Sequence, residues 1–221
     1  MTVRIGLVAG PSSGKSTTAA DVFVHCKRAG ITVELVSEVA REEINKGWKI
    51  RSIAEQFLIN QKQREKEDII PTEISVMITD SPAFLTYYYA LWNAECPSDE
   101  NMIMTWLYSD FLKDLRRYDK IYYLNRVKPY VKDGTRVQTE EESDQIGIHL
   151  KALLEMHHVD FEEIDGDELA VEKIMEYINY YSLSSVKKTY VTTIDATIDV
   201  SKSLNYYASD KTTSDTLCSK M

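Results

Sequence analysis

Arg4-Ile5-Gly6-Leu7-Val8-Ala9-Gly10-Pro11-Ser12-Ser13-Gly14-Lys15-Ser16-Thr17 runs from an apolar segment through a Gly- and Ser-rich turn into a helical pattern. A short apolar run closed by such a turn reads as a buried strand. The turn has the order needed to hold a nucleoside triphosphate with its magnesium. Glycines let consecutive backbone N–H groups point inward, and a lysine and a hydroxyl follow. Gly10, Pro11, Ser12, Ser13, Gly14, Lys15, Ser16 and Thr17 are therefore the candidate phosphate-binding residues. Lys15 supplies a mobile cation for the outer phosphates, and Ser16 offers a hard oxygen to Mg2+. A helix that starts near Lys15 adds its positive dipole end. The usual pattern has Gly at the first position, where this chain has Ala9, with Gly10 one residue later. A turn that binds nothing would leave Gly-Lys-Ser-Thr at a helix start without a reason.

Outward from that loop, strand-like and helix-like segments alternate to about residue 181. Strands are expected at 4–9, 32–37, 76–79, 120–124 and 161–164, and helices at 15–29, 53–68, 84–92, 101–115, 141–157 and 169–181. Such alternation predicts a parallel sheet with helices on both faces, and a ligand beyond the carboxyl ends of its strands. Residues 182–221 are rich in Ser, Thr, Asp and Lys and have no sustained helical period. The expected organisation is a 1–181 domain and a 182–221 polar tail, either disordered or a small hairpin.

Composition narrows the class. The 221 residues, 43% hydrophobic, suffice for one α/β domain with a core. A net charge of −9 argues against a broad nucleic-acid-coating surface, though not against a local basic groove. Cys26, Cys96 and Cys218 share no metal-ligand spacing and form an odd set, which points to reduced thiols. No leader pattern and no membrane-spanning apolar run are visible, so the expectation is a soluble, cytoplasmic protein without a membrane partner.

Residues just past the strand ends should converge on the phosphate loop. Asp80 ends the third strand, where a carboxylate can reach the metal beside Ser16, and Asp80-Ser81-Pro82 is also a good helix start. Glu38 ends the second strand, across the cleft from the terminal phosphate, where it could orient an acceptor hydroxyl and take its proton. Arg41 shares its face if a helix begins there; the plain alternative is a surface ion pair. After the fourth strand, Arg126, Lys128, Lys132, Asp133-Gly134-Thr135-Arg136 and Gln138 concentrate positive charge. A mobile lid carrying an arginine to a transferring phosphoryl group has this composition, with Arg136 first choice and Arg126 second.

The Gly10–Thr17 loop, Ser37-Glu38-Val39-Ala40-Arg41, Thr79-Asp80-Ser81 and Asp133-Gly134-Thr135-Arg136 together resemble a family of small P-loop kinases. The family includes the nicotinamide-riboside kinase domain of bifunctional NAD-biosynthesis proteins and phage 5-hydroxymethyluracil DNA kinases. The resemblance covers most of residues 1–181. It implies a nucleoside- or nucleotide-kinase-like P-loop NTPase fold: a three-layer sandwich with a five-stranded parallel sheet and a mobile lid. It also implies ATP and Mg2+ as cofactors and phosphorylation of an alcohol, with Lys15, Glu38, Asp80 and Arg136 catalytic, Glu38 and Arg41 at the acceptor, and Ser16 and Asp80 at the metal.

The leading expectation for the acceptor is 5-hydroxymethyluracil in phage DNA during thymidine hypermodification, which would place the protein in the host cytoplasm. The alternative is a free nucleoside or nucleotide, including nicotinamide riboside. For DNA, Lys46, Lys49, Arg51, Lys62, Arg64 and Lys66 supply charge and Trp48 a stacking surface, but Glu65, Glu67 and Asp68 interleave with them as on a solvated amphipathic helix. For a small acceptor, Gln56 or Asn60 could meet the base, and Tyr87-Tyr88-Tyr89 could line the pocket or belong to the core. Outside kinases, an ATP-hydrolysing switch or a non-catalytic nucleotide-binding module would share the loop. Oligomeric state is not legible.

Overall fold

The computed structural model describes residues 2–93, 101–130 and 138–184. The expected lid residues Asp133, Gly134, Thr135 and Arg136, and residues 185–221 of the expected tail with its candidate hairpin, lie outside the described residues; residues 182–184 extend the last helix.

Five strands alternate with helices in chain order: β1 (Val3–Val8), α1 (Lys15–Arg28), β2 (Val33–Val36), α2 (Val39–Asn45), α3 (Ile53–Asp68), β3 (Val76–Thr79), α4 (Leu85–Asn93) and α5 (Asn101–Asp114). A 3-10 turn at Leu115–Arg117 leads to β4 (Lys120–Asn125), α6 (Glu140–Met156), β5 (Glu162–Asp165) and α7 (Leu169–Ser184). All pairings are parallel, in the order β2-β3-β1-β4-β5. β1 is central: Ile5 pairs with Ile78 on one side and with Lys120 on the other. The strand order therefore reverses at β1, and the loop after β1 opens into the crevice that this reversal makes.

Alternation along β1 sorts the layers. Val3, Ile5, Leu7 and Ala9 pack with Ala19, Val22 and Cys26 of α1 and with Ala170, Val171, Ile174 and Ile178 of α7. The even positions face the other way: Arg4 donates to the Glu67 carbonyl at 2.9 Å, and Gly6 lies under Pro82 and Tyr118. A period of two, read on a strand buried on both sides, divides one sequence between two cores. Local signals set the helix limits. Ser52 and Glu55 form a reciprocal capping box at the start of α3, and Thr139 and Glu142 do so at α6.

Two expectations change, and one alternative is decided for the core. α3 is not a solvated amphipathic helix: Gln56, Asn60, Gln63 and Glu67 are buried along one stripe of it. Asn60, Glu67 and the Gln63 carbonyl oxygen bond to groups elsewhere in the fold, and an apolar period carries no trace of such partners. Asp80 caps no helix, because α4 begins at Leu85, and the N–H groups of Leu85 and Thr86 donate instead to the carbonyls of Pro82 and Ala83. Tyr87 and Tyr88 are fully buried core residues, and only Tyr89 of that run is part-exposed. Cys26 of α1 is a buried free thiol. Among the described residues, no helix is long and apolar enough to cross a membrane.

Candidate active site

The phosphate loop joins β1 to α1 with two left-handed residues, Ser12 (φ 65°) and Gly14 (φ 87°). Left-handed positions within a tight turn swing N–H groups toward one side and form an anion-binding concavity. At Ser12 that conformation costs about 1–3 kcal/mol, a strain that persists only where the surroundings hold it. They do. The Ser13 hydroxyl donates to the Gly10 carbonyl at 2.9 Å, and the Ser143 hydroxyl of α6 donates to the Pro11 carbonyl at 2.6 Å.

Gly10 explains the displaced glycine of the motif. A Cβ there would sit 2.5 Å from the Ser143 carbonyl oxygen and 3.2 Å from the Gly147 nitrogen, so α6 can lie against the loop only if residue 10 has no side chain. Ala9, one residue earlier, is fully buried in the core and tolerates its methyl. Gly147, a glycine in mid-helix, is the sequence signal for this close approach.

The predicted site residues gather at the strand ends. The Lys15 ammonium lies along the loop, donating to the carbonyls of Ala9 at 2.9 Å and Gly10 at 3.1 Å. The Ser16 hydroxyl donates to Asp80 Oδ2. The other oxygen, Asp80 Oδ1, is buried with no hydrogen-bond partner among the described residues. A buried carboxylate oxygen left open beside a hydroxyl is a hard-oxygen pair suited to Mg2+.

Glu38 occupies the cap position of α2 but makes no capping hydrogen bond, and its side chain remains 29% exposed. Its carboxyl is pushed up by burial and pulled back by the charges of Lys15 and Arg41, while Asp80 pushes it up further. Lys15, Arg41 and Asp80 thus all lie within electrostatic reach of Glu38. Arg41 pairs with it at 3.7 Å. The Tyr89 phenol is raised by burial and by the Glu38 charge, which places Tyr89 within electrostatic reach of this carboxylate.

Two lid candidates differ in outcome. Arg136 lies outside the described residues. Arg126 points to α6, paired with Asp144 and with Glu140 at 3.3 Å, its guanidinium 5.7 Å above the Tyr130 ring. Beside the loop, a cavity of about 250 Å³ is lined by residues that include Ser12, Gly14, Thr17, Lys128, Gly166 and Asp167. Gly166 brings the turn after β5 against the loop; a Cβ there would sit 2.3 Å from the Ser13 carbonyl oxygen.

Comparison with known proteins agrees with this architecture. Residues 4–169 match the family described as the AAA domain. No curated protein matches the chain. Among solved structures, a NadR protein in complex with NR is similar at 17% identity and a TM-score of 0.63, over 80% of this chain and 52% of that one. A NadR protein in complex with NAD and AMP-PNP is similar at 16% identity and a TM-score of 0.56, over 84% of this chain and 50% of that one. Thymidylate kinase from Candida albicans gives 14% identity and a TM-score of 0.51, over 82% of this chain and 92% of that one. The chain spans about half the length of the NadR chains. At these identities the likeness is one of fold. The family match takes in the phosphate loop, both strand-end carboxylates and the turn after β5: the chain belongs to the AAA-domain family and has the α/β fold of P-loop kinases.

Proposed function

We propose that this protein transfers the terminal phosphoryl group of ATP to a hydroxyl of a nucleoside-type acceptor. The observation that carries this reading is Asp80, at the end of β3, bonded to Ser16 of the phosphate loop, with Lys15 lying along that loop and the Glu38 carboxylate within electrostatic reach of Lys15 and Asp80. In the reaction, an oxygen lone pair of the acceptor forms a bond to the γ-phosphorus, and the acceptor proton passes to the Glu38 carboxylate. The bond from that phosphorus to its bridging oxygen breaks, and ADP leaves with the electron pair. Lys15 offsets charge on the phosphate oxygens, and the loop N–H groups hold the nucleotide in line. Ser16 Oγ and Asp80 would hold Mg2+, which neutralises phosphate charge when bound. Arg136 is the proposed lid arginine on its sequence context alone, within a kinase domain of residues 1–181 and apart from the 182–221 tail.

For the acceptor, ion pairing on α3 favours a free nucleoside or nucleotide. Lys62 and Lys46 pair with Glu43, Lys66 with Glu42, and Arg64 with Asp110 and Asp114. Lys62 also covers the Trp48 ring at 5.1 Å. Cations neutralised in this way give a polyanion little to grip. Asn60 is likewise occupied, its amide donating to Ala83, Thr86 and Asp114. Tyr89, part-exposed and within electrostatic reach of Glu38, would offer an aromatic edge to a small ring. The second reading, 5-hydroxymethyluracil within phage DNA, rests on the sequence resemblance and on Lys49 and Arg51, which are exposed and form no ion pair among the described residues.

Labelled phosphate transfer from ATP, run against a nucleoside and nucleotide panel and against DNA containing hydroxymethyluracil, tests both. Labelling of the panel is expected. Labelling of DNA alone would reverse the order of the two readings, and ATP hydrolysis with no labelled acceptor would favour an ATP-driven switch. Glu38 must be ionised to accept a proton, and burial raises its carboxyl above the usual range. Activity should therefore be full above that raised value and fall as pH drops through it, at a higher pH than an ordinary carboxylate would give. Glu38→Gln should lower kcat by about 10²- to 10⁴-fold and abolish that acid limb. An unchanged kcat would remove Glu38 from the chemistry.

A further inference from the structure

The buried stripe of α3 touches both loops that carry the strand-end carboxylates. Gln63 Oε1 accepts from the Val39 N–H at 3.0 Å, in a buried contact 24 residues away in sequence. Val39 is the first residue of α2, and its N–H is one of those that a helix start leaves without an intrahelical partner. Glu38 does not cap that helix itself. Gln63 meets the first N–H from a distance, and the Glu38 carboxylate is left to face the cleft. The donor is a backbone N–H, so the Gln63 amide orientation is set: its oxygen points to Val39. Its nitrogen is then buried without a hydrogen-bond partner among the described residues. An orphaned buried donor is unfavourable, so stability alone does not explain a glutamine here.

One turn further along α3, Glu67 is fully buried and grips the turn after Asp80. Glu67 Oε1 accepts from the Tyr118 hydroxyl at 2.7 Å and from the Ala83 N–H at 3.3 Å, while Tyr118 Oη accepts from the same N–H at 2.8 Å. Glu67 Oε2 accepts from Arg117 at 3.1 Å. From the same stripe, Asn60 donates to the Ala83 carbonyl at 3.1 Å. Both backbone groups of Ala83, three residues past Asp80, are thus held from the α3 side.

We propose that Gln63 and Glu67 are positioning residues: from one face of α3 they set the start of α2 and the Pro82–Ala83 turn, and so the separation of Glu38 from Asp80. The inference rests on the kinase reading for what those two carboxylates do, but its geometry stands apart from that reading. A rigid helix that holds two loops through directional hydrogen bonds fixes their spacing more tightly than apolar contact does.

The experiment compares Gln63→Leu, Gln63→Glu, Glu67→Leu, Glu67→Gln and Tyr118→Phe with the unaltered protein. Gln63→Leu should lower kcat about 10-fold or more with little change in KM for ATP. Gln63→Glu, which keeps an acceptor for Val39, should recover most of it. Glu67→Leu should raise the magnesium concentration for half-maximal binding of a fluorescent ATP analogue by about 10-fold, with affinity in the absence of magnesium unchanged. Glu67→Gln, which keeps an acceptor for the Tyr118 hydroxyl, and Tyr118→Phe, which leaves Glu67 as the acceptor for Ala83, are milder changes; they should give a smaller rise and serve where Glu67→Leu does not fold. A lowered unfolding midpoint with kcat and magnesium response unaltered would overturn the proposal, leaving the stripe as scaffold. If the unaltered protein phosphorylates no acceptor, the kinase reading fails and the binding measurement still decides. There, a shifted magnesium response supports the positioning role. An unshifted one, or nucleotide binding that ignores magnesium altogether, overturns it.

Discussion

The sheet presents one dry face and one wet one. Toward α1 and α7, around Ile5, Leu7, Val22, Ile164, Ile174 and Ile178, the buried side chains include no charged one among the described residues. Toward α3, α4 and α5, the layer encloses Glu67 and Asp114 at zero exposure, with Asn60, Arg117 and Tyr118 as their partners. Burying a carboxylate is unfavourable, and both carboxyls are pushed up by it. Apolar burial on the dry face supplies stability in proportion to area and has little directional content. Hydrogen bonds to buried charges supply direction at an energetic cost. The loops bearing Glu38 and Asp80 are tied to the wet side. The division suggests that the dry face keeps the protein folded while the wet face keeps the site in register.

The contrast can be broken at three points. The largest effect should come from Asp80→Ala, which removes the open carboxylate oxygen beside Ser16. Transfer should drop by about 10³-fold or more while the thermal midpoint moves little. A variant that loses stability instead would make Asp80 part of the scaffold. Next, Ile174→Ala on the dry face should cost about 2–5 kcal/mol in urea unfolding, with kcat and KM for ATP preserved. A loss of kcat in folded protein would show that the two faces are not separable.

A smaller effect concerns His157, which sits on the wet face with its ring 4.8 Å from that of Phe111 and neither nitrogen hydrogen-bonded among the described residues. Burial, helped by the charge of His158, pulls its pKa down to about 4. In the unfolded chain an imidazole titrates near ~6.5, so the unfolded state takes up the proton first as pH falls. The stability of the native protein should be full above that value and be lost progressively toward the folded pKa, by about 3 kcal/mol in all. His157→Phe should flatten this part of the stability profile in urea unfolding between pH 7 and pH 4. An unchanged slope would mean that water reaches the ring.

Much of the fold could be read in advance, for reasons visible at particular residues. Val76-Met77-Ile78-Thr79 is a fully buried strand, and a short run of apolar and β-favouring residues before Asp80-Ser81-Pro82 has few other readings. Ser52 and Glu55 announce the start of α3 through a local reciprocal bond. The candidate site was legible where it follows the chain: Lys15 and Ser16 belong to a contiguous motif, and Glu38 and Asp80 to strand ends. It was illegible where distant elements meet. Nothing near Gly10 announces Ser143 and Gly147, and nothing near Val39 announces Gln63.

Sequence alone determined the phosphate loop, the alternation of strands and helices, and the two strand-end carboxylates. Each depends on neighbours a few residues apart, whose backbone preferences and apolar spacing act locally. Tertiary structure alone decided that α3 turns its glutamine, asparagine and glutamate inward. It also decided that the displaced glycine of the loop answers to α6. The physical reason is that a polar side chain has two ways to be satisfied, by water or by a buried partner. Which of them prevails depends on donors and acceptors that folding brings together from 24 to 132 residues away.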